Sequence, residues 1–303
     1  MATTTGTIPF GASRAAIEHH YDVSNDFYAL WLDTSMTYSC ALWDGESDNL
    51  ESAQLRKTDY HIAQARATGS DRVLDIGCGW GGLLRRLTEA HGVRRATGLT
   101  LSEAQLTWAQ RHHDMERIEY RLESWTEHEP EAPYDAIISI GAIEHFASPA
   151  LGRARRVQAY RDFFSRCHAW LRPGARLSAQ AIVQHHDFPT TRQGRRDALL
   201  LHRVFPDSRL PALSELIEAS APYFHVVTVR NDPHHYARTC QAWLDRLRPQ
   251  KQRATALVGT DKAMEFQAYL EACVRIFQGG SLGLGRIAFV RSERPVPLAG
   301  LCY

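Results

Sequence analysis

The apolar positions change rhythm along the chain. Between residues 17 and about 43 they are mostly aromatic: Tyr21, Phe27, Tyr28, Trp31, Tyr38 and Trp43. A helical stretch from about 50 to 67 follows, with Ser47 and Asp48 as candidate caps. From residue 72 short apolar runs alternate with helical spacing. The runs 72–76, 96–100, 118–122, 134–140 and 176–183 predict five strands. Helices are predicted at 83–90, at 103–113 with Ser102 as cap, and through Tyr160, Phe163, Phe164, Cys167, Trp170 and Leu171. After Gln184 the alternation stops. Residues 185–222 read as an inserted, mostly helical cap carrying Arg192, Arg195, Arg196, Arg203 and the run Leu199-Leu200-Leu201. A sixth strand at 224–229, a late helix through Phe266, Tyr269, Leu270, Cys273, Val274 and Phe277, and a closing strand at 285–291 complete the pattern. Strand–helix alternation predicts an α/β domain whose parallel sheet is covered on both faces. A last strand entered from a helix suits one antiparallel edge.

The first strand runs into Gly77-Cys78-Gly79-Trp80-Gly81-Gly82 and then a helix. Glycines belong where backbone approaches a ligand closely or turns with positive φ, and such ligands lie over the carboxyl ends of the strands. Nicotinamide and flavin sites use similar spacing. Two details point elsewhere. Asp75 precedes the first glycine, where a dinucleotide fold takes a small or apolar residue. The second strand ends Gly98-Leu99-Thr100, with no acid at its tip for a ribose diol.

Composition narrows the class. With 44% hydrophobic and 23% charged residues, the 303-residue chain can build a core and is not a disordered sequence. A net charge of +1 argues against bulk nucleic-acid binding and against a strongly electrostatic membrane dock. No apolar run approaches the roughly 20 residues of a transmembrane helix. The N-terminus lacks signal-peptide features, so a cytoplasmic protein is expected. Six scattered cysteines without a CxxC pair read as reduced thiols. The doublets His112-His113, His185-His186 and His234-His235 lack metal-site spacing, and no metal is expected. Arg153, Arg155 and Arg156 read as a solvated surface run.

Asp-x-Gly-x-Gly after a strand resembles the first motif of class I S-adenosylmethionine (AdoMet) methyltransferases. An acid there can hold the cofactor's ammonium group, directly or through water. The flanks narrow the match. His20-Tyr21-Asp22-Val23-Ser24-Asn25-Asp26-Phe27-Tyr28, Trp31-Leu32-Asp33 and Met36-Thr37-Tyr38-Ser39-Cys40-Ala41 resemble the N-terminal signature of the cyclopropane fatty acid and mycolic acid cyclopropane synthases. So do the glycine motif, Gly98-Leu99-Thr100-Leu101-Ser102-x-x-Gln105 and Ser139-Ile140-Gly141-Ala142-Ile143-Glu144-His145-Phe146.

The resemblance implies one AdoMet-dependent methyltransferase domain over 1–303 with a class I, Rossmann-like α/β fold. Its seven-stranded sheet is mostly parallel with one antiparallel edge strand. A helical N-terminal lid spans 1–70, a cofactor core 71–184, a helical substrate insertion 185–222, and the rest of the core 223–303. The implied AdoMet site comprises Tyr38, Ser39, Asp75, Gly77, Gly79, Thr100, Leu101, Gln105, Ser124 and Trp125. Trp125 would flank the adenine, and Thr100 and Gln105 would do the polar work that an acid does in other methyltransferases. The resemblance also implies a bicarbonate site at Cys40, Glu144, Gln180, Ile182 and Tyr236. Cys40 and Ile182 would offer backbone groups, Glu144 its carboxylate and Tyr236 its hydroxyl. Synthases of this group carry histidine where this chain has Gln180. Glutamine does not titrate near neutrality, so no proton relay could run through it. His145 is expected to point elsewhere and serve structure.

A sulfonium methyl needs an in-line nucleophile, so positioning and desolvation are much of the protein's task. An alkene nucleophile becomes a carbocation, which the aromatic segment 21–43 and Phe146 could stabilise. The expected reaction is methyl or methylene transfer to carbon of an alkene-bearing, lipid-like or specialised-metabolite acceptor. Phospholipid-acting members of the family carry an extra N-terminal domain without a counterpart here, which, with Gln180, tilts the expectation towards a soluble metabolite. A hydrophobic amine and an unsaturated phospholipid are the alternative acceptors. A protein that binds AdoMet without transferring its methyl, and a peripheral membrane module, are the rivals from other classes. The sequence leaves homo-oligomerisation open.

Overall fold

A computed structural model describes Gly11 and residues 21–185, 191–205 and 208–296; His20, His186 and Cys302 lie outside the described residues. The strands are β1 (Arg72–Ile76), β2 (Arg95–Thr100), β3 (Ile118–Leu122), β4 (Tyr134–Ile140), β5 (Leu171–Gln184), β6 (Phe224–Asn231) and β7 (Leu282–Arg291). They form one sheet in the order β3-β2-β1-β4-β5-β7-β6. β1 to β5 pair in parallel, and β7 pairs antiparallel with both β5 and β6. The reversed strand is therefore present but does not lie at the edge. The reason is burial. β7 is buried from Leu282 to Phe289, whereas β6 exposes most of its length, including Val226, Val227 and Val229. A strand apolar on both faces belongs inside a sheet, and the half-wet strand takes the rim.

The helices are α1 (Asn25–Ala29), α2 (Leu50–Ala65), α3 (Gly82–Ala90), α4 (Glu103–His112), α5 (Arg153–Trp170), α6 (Arg192–Val204), α7 (Leu213–Ser220), α8 (Pro233–Leu247), α9 (Lys251–Val258) and α10 (Thr260–Gln278). Ser102 caps α4 as expected, accepting the Gln105 N–H at 3.1 Å. The cap of α2 is Asn49 and not Ser47 or Asp48. Asn49 accepts the Ser52 N–H at 2.9 Å, while Asp48 is held by Arg56. α8 adds a helix to those the apolar pattern predicts; its buried face is Ala237, Cys240, Trp243, Leu244 and Leu247.

Two packing layers position the site. On one side α5 sets Phe163, Phe164 and Cys167 against β5 and β7. α7, from the segment 185–222, packs beside α5, tied by Arg156 to the buried Glu215 at 2.6 Å. Arg156 is thus not merely a solvated residue of a surface run. On the other side Phe27, Tyr28 and Trp31 are fully buried with Trp243 and Phe266. Ring centroids are 5.0 Å apart for Phe27–Phe266 and 5.7 Å for Trp31–Trp243. Most aromatics of 21–43 therefore build core, and among them only Tyr21 and Tyr38 face the cavities described next. Among the described residues no helix is long and apolar enough to cross a membrane, and no cluster of His, Cys, Asp and Glu could hold a metal ion.

Candidate active site

A cavity of about 710 Å³ lies over the carboxyl ends of β1 and β2. All ten residues expected at the AdoMet site line it: Tyr38, Ser39, Asp75, Gly77, Gly79, Thr100, Leu101, Gln105, Ser124 and Trp125. Local structure explains the placement. β1 delivers Asp75 at its end, and the turn into α3 uses positive φ at Gly77 (85°) and Gly79 (55°). A Cβ on Gly77 would come within 2.6 Å of the Ala142 Cβ, whereas one on Gly79 would point into open space. The first glycine is needed for packing and the second leaves room for a ligand. Thr100 donates its hydroxyl to Gln105 Oε1 at 2.8 Å, which fixes the first turn of α4 across the cavity.

The cavity has one point whose chemistry suits a cation-bearing ligand. Asp75 is buried, and its Oδ1 has no hydrogen-bond partner among the described residues. Burial pushes its pKa up to about 7, opposed by the charge of Lys57. An ammonium group would satisfy that oxygen and restore the ionised form.

A second cavity, of about 200 Å³, adjoins the first, and Tyr21, Tyr38, Ser39, Gly141 and His145 line both. Glu144, Gln180, Ile182 and Tyr236 line the second cavity; Cys40 lines neither. Glu144 stands on a 3-10 turn, Ile143–His145, just past β4. Its Oε1 accepts the Ile182 N–H at 2.7 Å, and its Oε2 is buried without a partner among the described residues. Burial raises its pKa to about 7. The Ile182 N–H is therefore committed to Glu144. The Cys40 carbonyl accepts the Gln180 Nε2 at 3.4 Å and keeps a second lone pair. The Cys40 thiol is buried, and its pKa is pushed up to about 11 by that burial, so it is no nucleophile near neutrality. Tyr236 on α8 stacks on Phe277, with centroids 4.5 Å apart.

Two features were missed in the sequence. His145 does not serve structure alone. Its Nδ1 lies 2.6 Å from Ser208 Oγ, the ring meets Tyr21 and Phe205, and burial lowers its pKa to about 4, so a neutral imidazole forms part of both cavity walls. The second is Arg286 on β7, which is fully buried. Its Nε donates to Gln180 Oε1 at 2.9 Å, and one terminal nitrogen donates to the Ala41 carbonyl at 2.9 Å and lies 3.5 Å from the Cys40 sulfur. The other terminal nitrogen pairs with Asp232, the residue that opens α8. His61 Nε2 also lies 3.3 Å from Gln180 Oε1. The Gln180 side-chain oxygen is thus occupied by Arg286 and His61, while its NH2 group donates to the Cys40 carbonyl.

A seven-stranded sheet with one inverted strand inside its second half, and a glycine-turn cavity at its switch point, define a class I AdoMet-dependent methyltransferase. The sequence profile described as mycolic acid cyclopropane synthetase matches residues 11–287. Cyclopropane mycolic acid synthase 3 of Mycobacterium tuberculosis is 33% identical over 281 residues, covering 87% of this chain and 92% of that protein. Among solved structures, the cyclopropane synthase MmaA2 from Mycobacterium tuberculosis superposes with a TM-score of 0.84 at 30% identity, covering 92% of this chain and 99% of that one. The mycolic acid cyclopropane synthase CmaA1 complexed with SAH and CTAB gives 0.83 at 30% identity, with the same coverage. The chain belongs to the mycolic acid cyclopropane synthase family.

Proposed function

We propose that this enzyme transfers a methyl or methylene group from AdoMet to carbon of an alkene-bearing, lipid-like or specialised-metabolite acceptor. One observation carries the reading: two cavities share a wall at Ser39 and Gly141, one lined by every expected cofactor residue and the other by a buried carboxylate whose second oxygen has no partner among the described residues. AdoMet, bound in the larger cavity, supplies an electrophilic methyl. Asp75, Ser39 and the glycine turn hold its amino-acid end, and Ser124 and Trp125 the adenine end. The smaller cavity orients the acceptor and excludes water through Leu201, Phe205, Tyr269 and Phe277. That lining suits hydrocarbon, in keeping with the detergent-bound relative. A cavity of about 200 Å³ is below the usual ligand range of about 300–1,000 Å³ and favours a compact acceptor or one segment of a chain. Residues 21–70 and α6 form its cover in this reading.

After attack by an alkene carbon, a proton must leave. The residues present fit bicarbonate: Glu144 Oε2 to take its hydroxyl, and Gln180 Nε2 and the Tyr236 hydroxyl to donate to its oxygens. Bicarbonate would supply the base, and Glu144 would hold it. The same carboxylate, ringed by Tyr21, Tyr38, Tyr236 and Tyr269, also suits an ammonium, so amines are the second acceptor class to test.

The test is a mass-spectrometric screen of purified protein and AdoMet against unsaturated phospholipids, acyl thioesters, prenyl diphosphates and amines. A gain of one CH2 with loss of the alkene establishes cyclopropanation; the same gain with the alkene kept establishes methylation. If every acceptor stays unmodified while AdoMet binds, the transfer reading fails. Two further results are expected. Gln180→His places an imidazole against Arg286 and His61, which keeps it neutral and able to accept a proton. The ring-closed share of product should rise, and an unchanged ratio removes residue 180 from control of the product. AdoHcy affinity should fall as pH drops below about 7, because Asp75 must be ionised to hold an ammonium. Calorimetry in buffers of different ionisation enthalpy would show proton release near pH 6.5; no release means Asp75 does not meet the ammonium.

A further inference from the structure

We propose that Lys57, together with Ser39, is the receptor for the carboxylate of AdoMet's amino-acid end, so that Lys57 and Asp75 hold the two opposite charges of that zwitterion. The proposal rests on the AdoMet site described above and adds a residue that no motif of the sequence marks.

Lys57 lies on α2 and is only 1% exposed. A buried ammonium costs several kcal/mol unless paired and hydrogen-bonded. It has three donors. Among the described residues one acceptor meets them, Ser39 Oγ at 2.9 Å, and no carboxylate lies within the 4.0 Å of an ion pair. Asp33, whose charge Lys57 feels, is engaged by the Ser35 and Thr37 N–H groups at 3.0 and 2.9 Å. Lys57 lines the AdoMet cavity beside Ser39 and Asp75.

Asp75 is the mirror case, a buried carboxylate with an unpartnered oxygen on the same cavity. Lys57 and Asp75 sense each other's charge but do not pair. Two opposite charges left apart at one end of a cavity fit a ligand that carries both signs. The amino-acid end of AdoMet is such a group, and the rest of AdoMet has no carboxylate. Binding would give the Lys57 ammonium an anionic partner and leave Ser39, which lines both cavities, fixed between them.

The experiment compares three ligands by titration calorimetry: AdoHcy, its decarboxylated analogue, and 5′-methylthioadenosine, which lacks the amino-acid end. The wild-type protein should prefer AdoHcy over the decarboxylated analogue by about tenfold to a hundredfold, the range of a hydrogen bond to a charged group. In Lys57→Met that preference should vanish while 5′-methylthioadenosine binding persists, and Lys57→Arg should recover part of it. A wild-type preference near one overturns the proposal without any variant. So does a Lys57→Met protein that weakens all three ligands equally, since Lys57 would then act only on the fold of the cavity. Failure of the wild type to bind 5′-methylthioadenosine or AdoHcy at all would instead remove the AdoMet site itself.

Discussion

Glu144→Gln should lower methyl transfer by about two to four orders of magnitude, the usual contribution of a positioned acid–base group, with AdoHcy binding almost unchanged. Glutamine can keep the Oε1 hydrogen bond from Ile182 but replaces the unpartnered Oε2 with an NH2 group, a donor where the carboxylate offers an acceptor. It cannot hold a proton-bearing base, and it removes the negative charge that faces the acceptor. The pH dependence has a definite sign. Burial raises Glu144 from 4.5 to about 7, so the wild-type rate should climb as pH rises through about 7, and Glu144→Gln should lose that limb. Stability should respond in the opposite sense to a paired surface acid. Between about pH 4.5 and 7 the folded state holds a proton that the unfolded chain releases, so this group's contribution falls as pH rises. Rates from pH 5 to 9 and thermal melts over the same range check both. A variant with wild-type turnover would place the base elsewhere.

Arg286→Met should be among the most destabilising single substitutions in the site, by about 3–5 kcal/mol, because it breaks a buried ion pair and two buried hydrogen bonds to the same guanidinium. The guanidinium serves Gln180, Ala41 and Asp232 at once. Its removal leaves the Gln180 oxygen with His61 alone, the Ala41 carbonyl with only the weak Cys40 thiol donor, and Asp232 with Arg230 alone. For a domain of this size that corresponds to a fall in Tm of roughly 5–8 °C. Arg286→Lys should recover little, since one ammonium cannot reproduce a planar fork with partners on three sides. Differential scanning fluorimetry gives the answer, and a shift of a degree or two would mean the network closes over the gap.

The sequence and the structure agree best where chemistry is local. β1, β3 and β4 begin and end at the residues their apolar runs predict, and the glycine turn sits where strand gives way to helix. Glu144 was legible because it follows β4 in one motif. α8 is harder to read: Ala237, Cys240, Trp243, Leu244 and Leu247 repeat at helical spacing and Pro233 opens it, but the polar residues between them mask the period. α2 misleads in another way. It buries Gln54, Lys57, Thr58 and His61, so its inward face looks like an outward one. Arg286 could not be foreseen at all. Its partners Gln180 and Asp232 are 106 and 54 residues away, and only the packing of β7 between β5 and β6 brings them together.

The position of β7 has a consequence for how the enzyme comes into being. A ribosome delivers β1 to β4, and with them the walls of the AdoMet cavity, well before it delivers residue 282. Until the last described strand inserts, β5 and β6 have no hydrogen-bonding neighbour on their facing sides, and Gln180, Ala41 and Asp232 lack their common donor. The residues that line the larger cavity are therefore made early, whereas the setting of Gln180 waits until synthesis is nearly complete. Pairings of such long sequence separation close slowly and leave strand edges open meanwhile. Slow production at low temperature should therefore favour active enzyme more than it favours total protein.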